Sequence, residues 1–325
     1  IVMTPKQVLL EDAEHNEDCV KRIIQLVAGM YCTLLLLDTG DIIVLGGVKV
    51  DKAKKLGRKV GPVKMEGRGF AFKHDEHSKG KNKKKLELVD RDDRARDQDE
   101  AAKDADPLSL KEIGCGHYQS VALTCSGKVY QWGRQFAENQ QPVWNPTRTL
   151  FDQHRIIDMI AVGGEHCLAV AGFGEIFSWG RGDMGQLGLS DNRSVSKPHL
   201  ISHYFVNVKA ISAGEDHSAA ISVHMPGSED LVLWTWGNSE FGKLGLEGDV
   251  GPARPTPESV LDLHVGSEVC TPKSVCCGTD HTAIITVNKG SKHQRVWCFG
   301  GGYYGRLGHG SQANSRKPVE VKGVE

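Results

Sequence analysis

The stretch "WGRGDMGQLGL", residues 179–189, decides how the chain is read, because Gly180, Gly182 and Gly185 spell the G-x-G-x-x-G of a dinucleotide-binding loop. That fingerprint works only where a strand enters the loop and a helix leaves it, so that backbone N–H groups and the helix N-terminus face a pyrophosphate. The entering half fits, since "EIFSW" (175–179) alternates and is β-prone. The leaving half does not: "QLGLSDNRSVSKP" is punctuated by glycine and proline and has no helical apolar period. The stretch also recurs. "WGNSEFGKLGL" (236–246) has Ser239 at the middle glycine, and "FGGGYYGRLGH" (299–309) has glycine again. A phosphate loop is used once, whereas an element repeated along a chain belongs to the architecture.

Working outward, the chain aligns on Gly-x-x-(His, Gln or Cys) followed by a small or apolar run. The units open at Gly29, Gly116, Gly163, Gly214 and Gly278, spaced 87, 47, 51 and 64 residues apart. In the first three, 17 residues separate the opening glycine from a closing apolar-Gly pair, Leu45-Gly46, Trp132-Gly133 and Trp179-Gly180. In the last two the distance is 23 and 22, and the excess falls in "VHMPGSED" (223–230) and "VNKGSKHQR" (287–295), where a hairpin tolerates insertion. Each unit reads as strand, turn, strand, for example Val121–Thr124 then Lys128–Trp132, or Leu168–Ala171 then Glu175–Trp179, with Gly127 or Gly174 at the turn. The last and third-last positions of the second strand are Ile43/Leu45, Tyr130/Trp132, Phe177/Trp179, Trp234/Trp236 and Trp297/Phe299, so two large apolar residues share one face in every unit. One hairpin cannot bury that face alone, but five stacked units can.

The combination of G-x-x-H-(S/T), a hairpin, W-G and then G-x-L-G resembles the repeat of the regulator of chromosome condensation family. The resemblance covers about 26–60 and 108–318 and is strongest in units three to five. Unit one has Cys32 in place of the histidine, and unit two has Gln119 and no G-x-L-G. The resemblance implies an all-β fold, a β-propeller of four-stranded blades that is seven-bladed in the intact protein. The chain is expected to be a single propeller domain over 1–325 with a charged insertion at about 73–106. Ile1 in place of an initiator methionine suggests a trimmed product, with the remaining blades outside this segment.

Composition narrows the function classes. A formal net charge of −1 and a pI near 7 disfavour a nucleic-acid footprint over the whole surface. Nine cysteines without framework spacing indicate reduced thiols in a cytoplasmic or nuclear setting; the resemblance leaves cytoskeletal or ciliary association open as well. The longest apolar run, "TLLLLDTGDIIVLGG" (33–47), is broken by Asp38, Gly40 and Asp41, so no membrane span is expected. No paired carboxylates, nucleophile elbow or Walker loop stands outside the repeat, so neither an enzyme, a small-molecule substrate nor a cofactor is expected.

His166, His217 and His281 recur at one repeat position. Equivalent positions of different blades lie apart around a ring, so these histidines read as buried interblade residues satisfied by backbone, without metal. Cys276, Cys277 and Cys298 read as core, as do Trp132, Trp179, Trp236 and Trp297. The loops after each W-G carry unlike side chains on a like backbone, Arg181, Asp183 and Met184, then Glu240 and Phe241, then Tyr303 and Tyr304. These are the candidate partner-binding residues. Segment 73–106 has five lysines in 79–85 and nine acidic groups in 87–106. It reads as a polar surface insertion, with Lys81, Lys83, Lys84 and Lys85 as a candidate docking arm or import signal.

The function expected is a non-catalytic propeller that recruits a protein partner, alone or within a larger scaffold, ubiquitin ligase, ciliary or signalling protein. The alternative that the resemblance implies is a guanine-nucleotide exchange factor for a Ran-like small GTPase.

Overall fold

The computed structural model describes residues 23–30, 32–37, 42–46, 63–65, 110–134, 143–152, 155–172, 174–201, 205–248, 251–260, 263–265, 268–288 and 293–323. Segment 73–106, including Lys81, Lys83, Lys84 and Lys85, lies outside them. The described strands form five antiparallel sheets, one per repeat unit. Blade one is β1 (Ile23–Ala28), β2 (Cys32–Leu37), β3 (Ile42–Gly46) and β4 (Val63–Met65). Blade two is β5 (Leu110–Cys115), β6 (Gln119–Thr124), β7 (Val129–Gly133) and β8 (Val143–Thr149). Blade three is β9 (Ile157–Val162), β10 (His166–Ala171), β11 (Glu175–Gly180) and β12 (Val195–Leu200). Blade four is β13 (Val206–Ala213), β14 (His217–Val223), β15 (Leu231–Asn238) and β16 (Ala253–Val260). Blade five is β18 (Glu268–Cys277), β19 (His281–Asn288), β20 (Gln294–Gly300) and β21 (Ser315–Glu320), with the short β17 (His264–Val265) added beside β18.

Each blade is a simple meander, and the hairpin expected from sequence is its middle pair of strands. In every blade the third-position residue stands opposite the closing glycine: Cys32 with Gly46, Gln119 with Gly133, His166 with Gly180, His217 with Gly237 and His281 with Gly300. That register accounts for the constant spacing of the first three units. Insertions in units four and five lengthen only the far end of the hairpin.

Consecutive blades pack face to face. Leu34, Leu36 and Ile42 of blade one pack with Leu110, Ile113, Ala122 and Trp132 of blade two. Ala219, Ile221 and Leu233 of blade four do the same with Val275, Ile284, Trp297 and Phe299 of blade five. The first strands β5, β9, β13 and β18 touch one another in turn, so the blades converge at these strands. On the far side of blade five the alternate residues of β19 are open: Ile285 is 36% exposed where its counterpart Ile221 in blade four is 0%.

The opening glycines explain why this convergence needs glycine. A Cβ at Gly29 would lie 2.3 Å from the Gly116 carbonyl oxygen, one at Gly116 2.3 Å from that of Gly163, one at Gly163 2.4 Å from that of Gly214, and one at Gly214 2.5 Å from that of Gly278. Each unit's missing side chain is therefore the seat of the next unit's carbonyl. Backbone bonds follow the same path, with Gly164 N–H donating to Gly214 O at 2.9 Å and Glu215 N–H to Gly278 O at 3.2 Å.

Candidate interaction site on the loop face

In a meander the loop between strands one and two and the loop between strands three and four emerge on the same face. Here they are the G-x-x-H turn and the W-G…G-x-L-G loop, and they are bonded together. Arg181 N–H donates to Glu165 O at 2.9 Å, Asn238 N–H to Asp216 O at 2.9 Å and Gly301 N–H to Asp280 O at 2.7 Å. The closing glycines Gly180, Gly237 and Gly300 have φ of 110°, 104° and 113°, the region that favours glycine.

The phosphate-loop question is settled in the same place. Gly182 N–H donates to Ser194 Oγ at 3.0 Å, Gly185 N–H to Gly182 O at 2.8 Å and Gly188 N–H to Gly185 O at 3.0 Å. The N–H groups that would cradle an anion are thus spent inside the loop, and no helix follows before β12. At the matching position Ser239 fits a side chain and donates its hydroxyl to Gly251 O.

Beneath the loops runs a polar relay between blades. His166 Nε2 lies 2.9 Å from Ser218 Oγ, and Ser218 Oγ lies 2.8 Å from Gln186 O. The hydroxyl can donate only to the carbonyl, so it accepts from Nε2–H, which fixes the ring as the neutral Nε2–H tautomer. His217, Thr282 and Lys243 O repeat the arrangement at 2.9 and 2.8 Å. His166 and His217 are buried interblade residues as expected, but their partner is the hydroxyl that follows the next unit's histidine, not backbone; His281, in blade five, is only half-buried, contrary to the expectation. Nδ1 of His166 and His217 has no partner among the described residues. Full burial pushes the His166 imidazole down to about 3, and burial first, then Lys243, pushes His217 well below the usual range.

The tryptophans pack as expected. Trp179, Trp236, Trp297 and Trp132 are all buried, with Trp179 Nε1–H donating to Gln131 Oε1 at 2.8 Å and Trp236 Nε1–H to Gln186 O at 2.9 Å, both in the preceding blade. The cysteines divide. Cys298 is buried, Cys277 is half-buried, and Cys276 is exposed, contrary to a core position. It lies in β18 opposite Ala283, on the open side of blade five, where no further blade covers it among the described residues.

The candidate loop residues also divide. Asp183, Glu240, Tyr303 and Tyr304 are exposed, whereas Arg181, Met184 and Phe241 are half-buried. Arg181 is held within its own unit by Asp183 at 2.7 Å and Glu165 at 3.4 Å. Phe241 and Tyr303 meet across blades four and five, edge to face, with ring centroids 5.5 Å apart. Phe241 and Tyr304 occupy equivalent positions in 3-10 turns, and both are left-handed, with φ of 60° and 59°. Bulky residues rarely adopt that conformation, which costs about 1–3 kcal/mol and is retained where the surroundings impose it.

The charged network beneath these turns was not anticipated from sequence. Lys243, only 1% exposed, donates to Asp216 Oδ1 at 3.0 Å, Asp280 Oδ1 at 3.1 Å and Thr279 O at 3.5 Å. Its ammonium also lies 6.0 Å from the Phe241 ring. Arg306, the equivalent residue of blade five, lies 3.5 Å from Asp280 Oδ2 and 6.0 Å from the Tyr303 ring. The signal was available: a charged residue between the glycines of "GKLG" and "GRLG", and an aspartate before each of the last two repeat histidines. Among the described residues no group of His, Cys, Asp and Glu is placed to hold a metal, and no helix is long and apolar enough to cross a membrane.

Repeated four-stranded antiparallel blades, packed face to face, define a β-propeller. Its repeats belong to the regulator of chromosome condensation (RCC1) family, which matches residues 174–221, 232–285 and 294–325. The first two segments run from the third strand of one blade into the second strand of the next. The human E3 ubiquitin-protein ligase HERC2 is 30% identical over 221 residues, which is 65% of this chain and 4% of that protein. The Ultraviolet-B receptor UVR8 of Arabidopsis thaliana is 33% identical over 226 residues, 67% of this chain and 48% of that protein. The chain thus spans less than half the length of these relatives. Among solved structures, human WBSCR16 superimposes with a TM-score of 0.63 at 20% identity, covering 93% of this chain and 67% of that one. Prp20p from Saccharomyces cerevisiae gives 0.62 at 20% identity, covering 94% and 64%.

Proposed function

We propose that the chain is a non-catalytic protein-interaction propeller that recruits a protein partner through the loop face of blades three to five. The observation that carries this reading is the pair of loop positions occupied by Asp183 and Met184, Glu240 and Phe241, and Tyr303 and Tyr304. Equivalent loop positions present three unlike pairs, and the last pair is 45% and 92% exposed. Large aromatics held in solvent on a rigid frame lose little entropy on binding and are favoured as anchors. A propeller forming a small part of a ubiquitin-protein ligase supports a recruitment role. The segment with Lys81, Lys83, Lys84 and Lys85 is proposed as a second docking arm.

The alternative, exchange on a Ran-like small GTPase, follows from the family resemblance; Prp20p is itself described as binding Gsp1p and histones. Exchange needs a protrusion against the GTPase phosphate site. The loops of blades three to five have only four residues between the glycines of 180–185, 237–242 and 300–305.

The test is affinity capture with the intact chain, with a Glu240→Ala/Tyr303→Ala/Tyr304→Ala variant, and with Met225→Ser on the opposite face. Partners retained by Met225→Ser and lost from the triple variant are expected; equal capture by all three would remove the loop face from the reading. Deleting 73–106 tests the arm in the same assay. Release of fluorescent nucleotide from loaded Ran is expected to be unchanged by the chain, and a catalytic acceleration would put exchange first.

A further inference from the structure

The first strands of adjacent blades are also joined by side chains, and one of these joints differs from the others in charge. Counting back four residues from each opening glycine gives Gln25, Glu112, Met159, Ala210 and Ser274. A shift of strand register precedes this position in every blade, as between Ile23 and Gln25 and between Leu110 and Glu112. Such irregularities re-aim the side chain that follows. Here its partner is the residue three before the next unit's glycine. Gln25 bonds to Ile113 of blade two through both ends of its amide: Ile113 N–H donates to Oε1 at 2.8 Å, and Nε2–H donates to Ile113 O at 3.1 Å. In the apolar versions of the joint, Met159 shares a packed cluster with Ile211, and Ala210 shares one with Val275.

Glu112 is the one carboxylate in this series. Ile160 N–H of blade three donates to its Oε2 at 3.2 Å, which is the accepting half of what Gln25 does. An ionised carboxylate has no proton with which to make the other half, whereas a protonated one has the shape and the donor of an amide side chain. Few charges reach this place. β1, β2 and β6 contain no charged residue, and Cys32 at the start of β2 is their one ionisable group. β6 sets Leu123 opposite Glu112. β9 contributes only Asp158, half-buried, and Lys111 beside Glu112 donates its ammonium to the Asp158 carbonyl oxygen at 2.8 Å. Burial pushes the Glu112 carboxyl above its usual range, against the opposing pull of the Ile160 N–H and of Lys111.

We infer that Glu112 is a pH-sensitive clasp between blades two and three: ionised, it holds only the Ile160 N–H; protonated, it also donates to the Ile160 carbonyl, as Gln25 does to that of Ile113. The step is uptake of one proton from solvent by the carboxylate, with no other bond made or broken. The sign is that of an acid whose folded-state value is raised. Its stabilising contribution is complete below the ordinary 4.5 and is lost as pH rises through the raised value. The joint of blades two and three is therefore weakest at neutral pH and tightens in acid. His166, which joins blades three and four through Ser218, has the opposite dependence, since acid favours its charged form and burial opposes it. Acidification thus moves the weaker joint from one side of blade three to the other, whichever partner the loop face takes.

The test uses the full chain, with thermal melts at pH 4.5, 6 and 8 and hydrogen exchange of the Ile160 amide, each variant read against the wild type at the same pH. Glu112→Gln holds the clasp in its two-bonded form. At pH 8 it should melt about 2–6 °C above the wild type and slow Ile160 exchange about three- to tenfold, and both differences should vanish toward pH 4.5. Gln25→Glu builds the same device between blades one and two, so it should melt below the wild type at pH 8 and recover toward pH 4.5. Glu112→Met brings in the residue that blade three carries at this position. It removes the charge but neither accepts nor donates, and at pH 8 it should melt below Glu112→Gln. A Glu112→Gln variant that melts with the wild type at every pH, a difference that does not change with pH, a Gln25→Glu variant without pH dependence, or Glu112→Met as stable as Glu112→Gln would each overturn the clasp.

Discussion

Replacing Trp236 tests the packing of blade on blade most directly. Its side chain is 0% exposed, packs 5.8 Å from the Phe205 ring, and donates Nε1–H to Gln186 O of blade three at 2.9 Å. Gly188 of that blade is so close that a Cβ there would lie 2.9 Å from Nε1. Trp236→Ala should therefore cost about 3–5 kcal/mol, the range for deleting a buried aromatic. Trp236→Phe separates packing from the hydrogen bond. The ring remains, and Gln186 O keeps the Ser218 hydroxyl at 2.8 Å, so no buried acceptor is left unpaired. The loss should be only about 1–2 kcal/mol, one net hydrogen bond plus a small volume. At roughly 2–4 °C per kcal/mol for a large domain, the alanine variant should melt about 6–20 °C lower and the phenylalanine variant about 2–8 °C lower, read by circular dichroism. An alanine variant melting with the wild type, or a phenylalanine variant as damaged as alanine, would show that this residue does not join the blades as described.

Three further outcomes follow from the same geometry. Gly163→Ala, with its Cβ 2.4 Å from the Gly214 carbonyl oxygen, should destabilise far more than Gly227→Ala, where φ is 83° but no atom lies within 4 Å; paired thermal melts decide this. For His166 the sign is that of a buried neutral base: its folded-state value, about 3, lies below the ordinary 6.5, so its stabilising contribution is complete above 6.5 and is lost as pH falls toward 3. At pH 5 that loss is about 2 kcal/mol, and denaturant titrations across pH should show a shallower slope in His166→Gln. Finally, the Asp216→Asn/Asp280→Asn double variant leaves the Lys243 ammonium buried without a counter-charge and should cost about 3–5 kcal/mol, whereas Lys243→Met leaves two partly exposed aspartates and should cost less; urea midpoints give the order.

What was legible in the sequence is what the backbone repeats. The opening and closing glycines, the hairpin between them and the large apolar pair on its second strand are fixed by recurring constraints: a carbonyl seated where a Cβ would be at Gly29, Gly116, Gly163 and Gly214, a left-handed residue at Gly133, Gly180, Gly237 and Gly300, and a face to bury. Such constraints leave a spaced pattern. The interblade relay was only half legible, because Ser218 follows its own unit's histidine in sequence yet serves His166, 52 residues away. Lys243 left a signal in "GKLG" and in the aspartate before each of the last two repeat histidines, but its partners were not legible: it lies 27 residues from Asp216, which the fold of blade four brings to it, and 37 from Asp280, which the stacking of blades four and five brings to it.

The same division bears on where specificity resides. Gln186, Lys243 and Arg306 occupy one repeat position, but Gln186 and Lys243 are 1% exposed, and it is their backbone carbonyls that receive the hydroxyls of Ser218 and Thr282. A change of side chain at this position should leave the relay intact, because the relay uses only the main chain of this residue. The side chain then acts upward on the loop: Gln186 Oε1 accepts from Met184 N–H at 2.9 Å, whereas Lys243 reaches across to two aspartates and faces the Phe241 ring. Met184 keeps an ordinary backbone while Phe241 is left-handed. A buried residue thus differs in step with the backbone of the half-buried loop residue two places before it, and substitutions at this hidden position should alter binding without altering the fold.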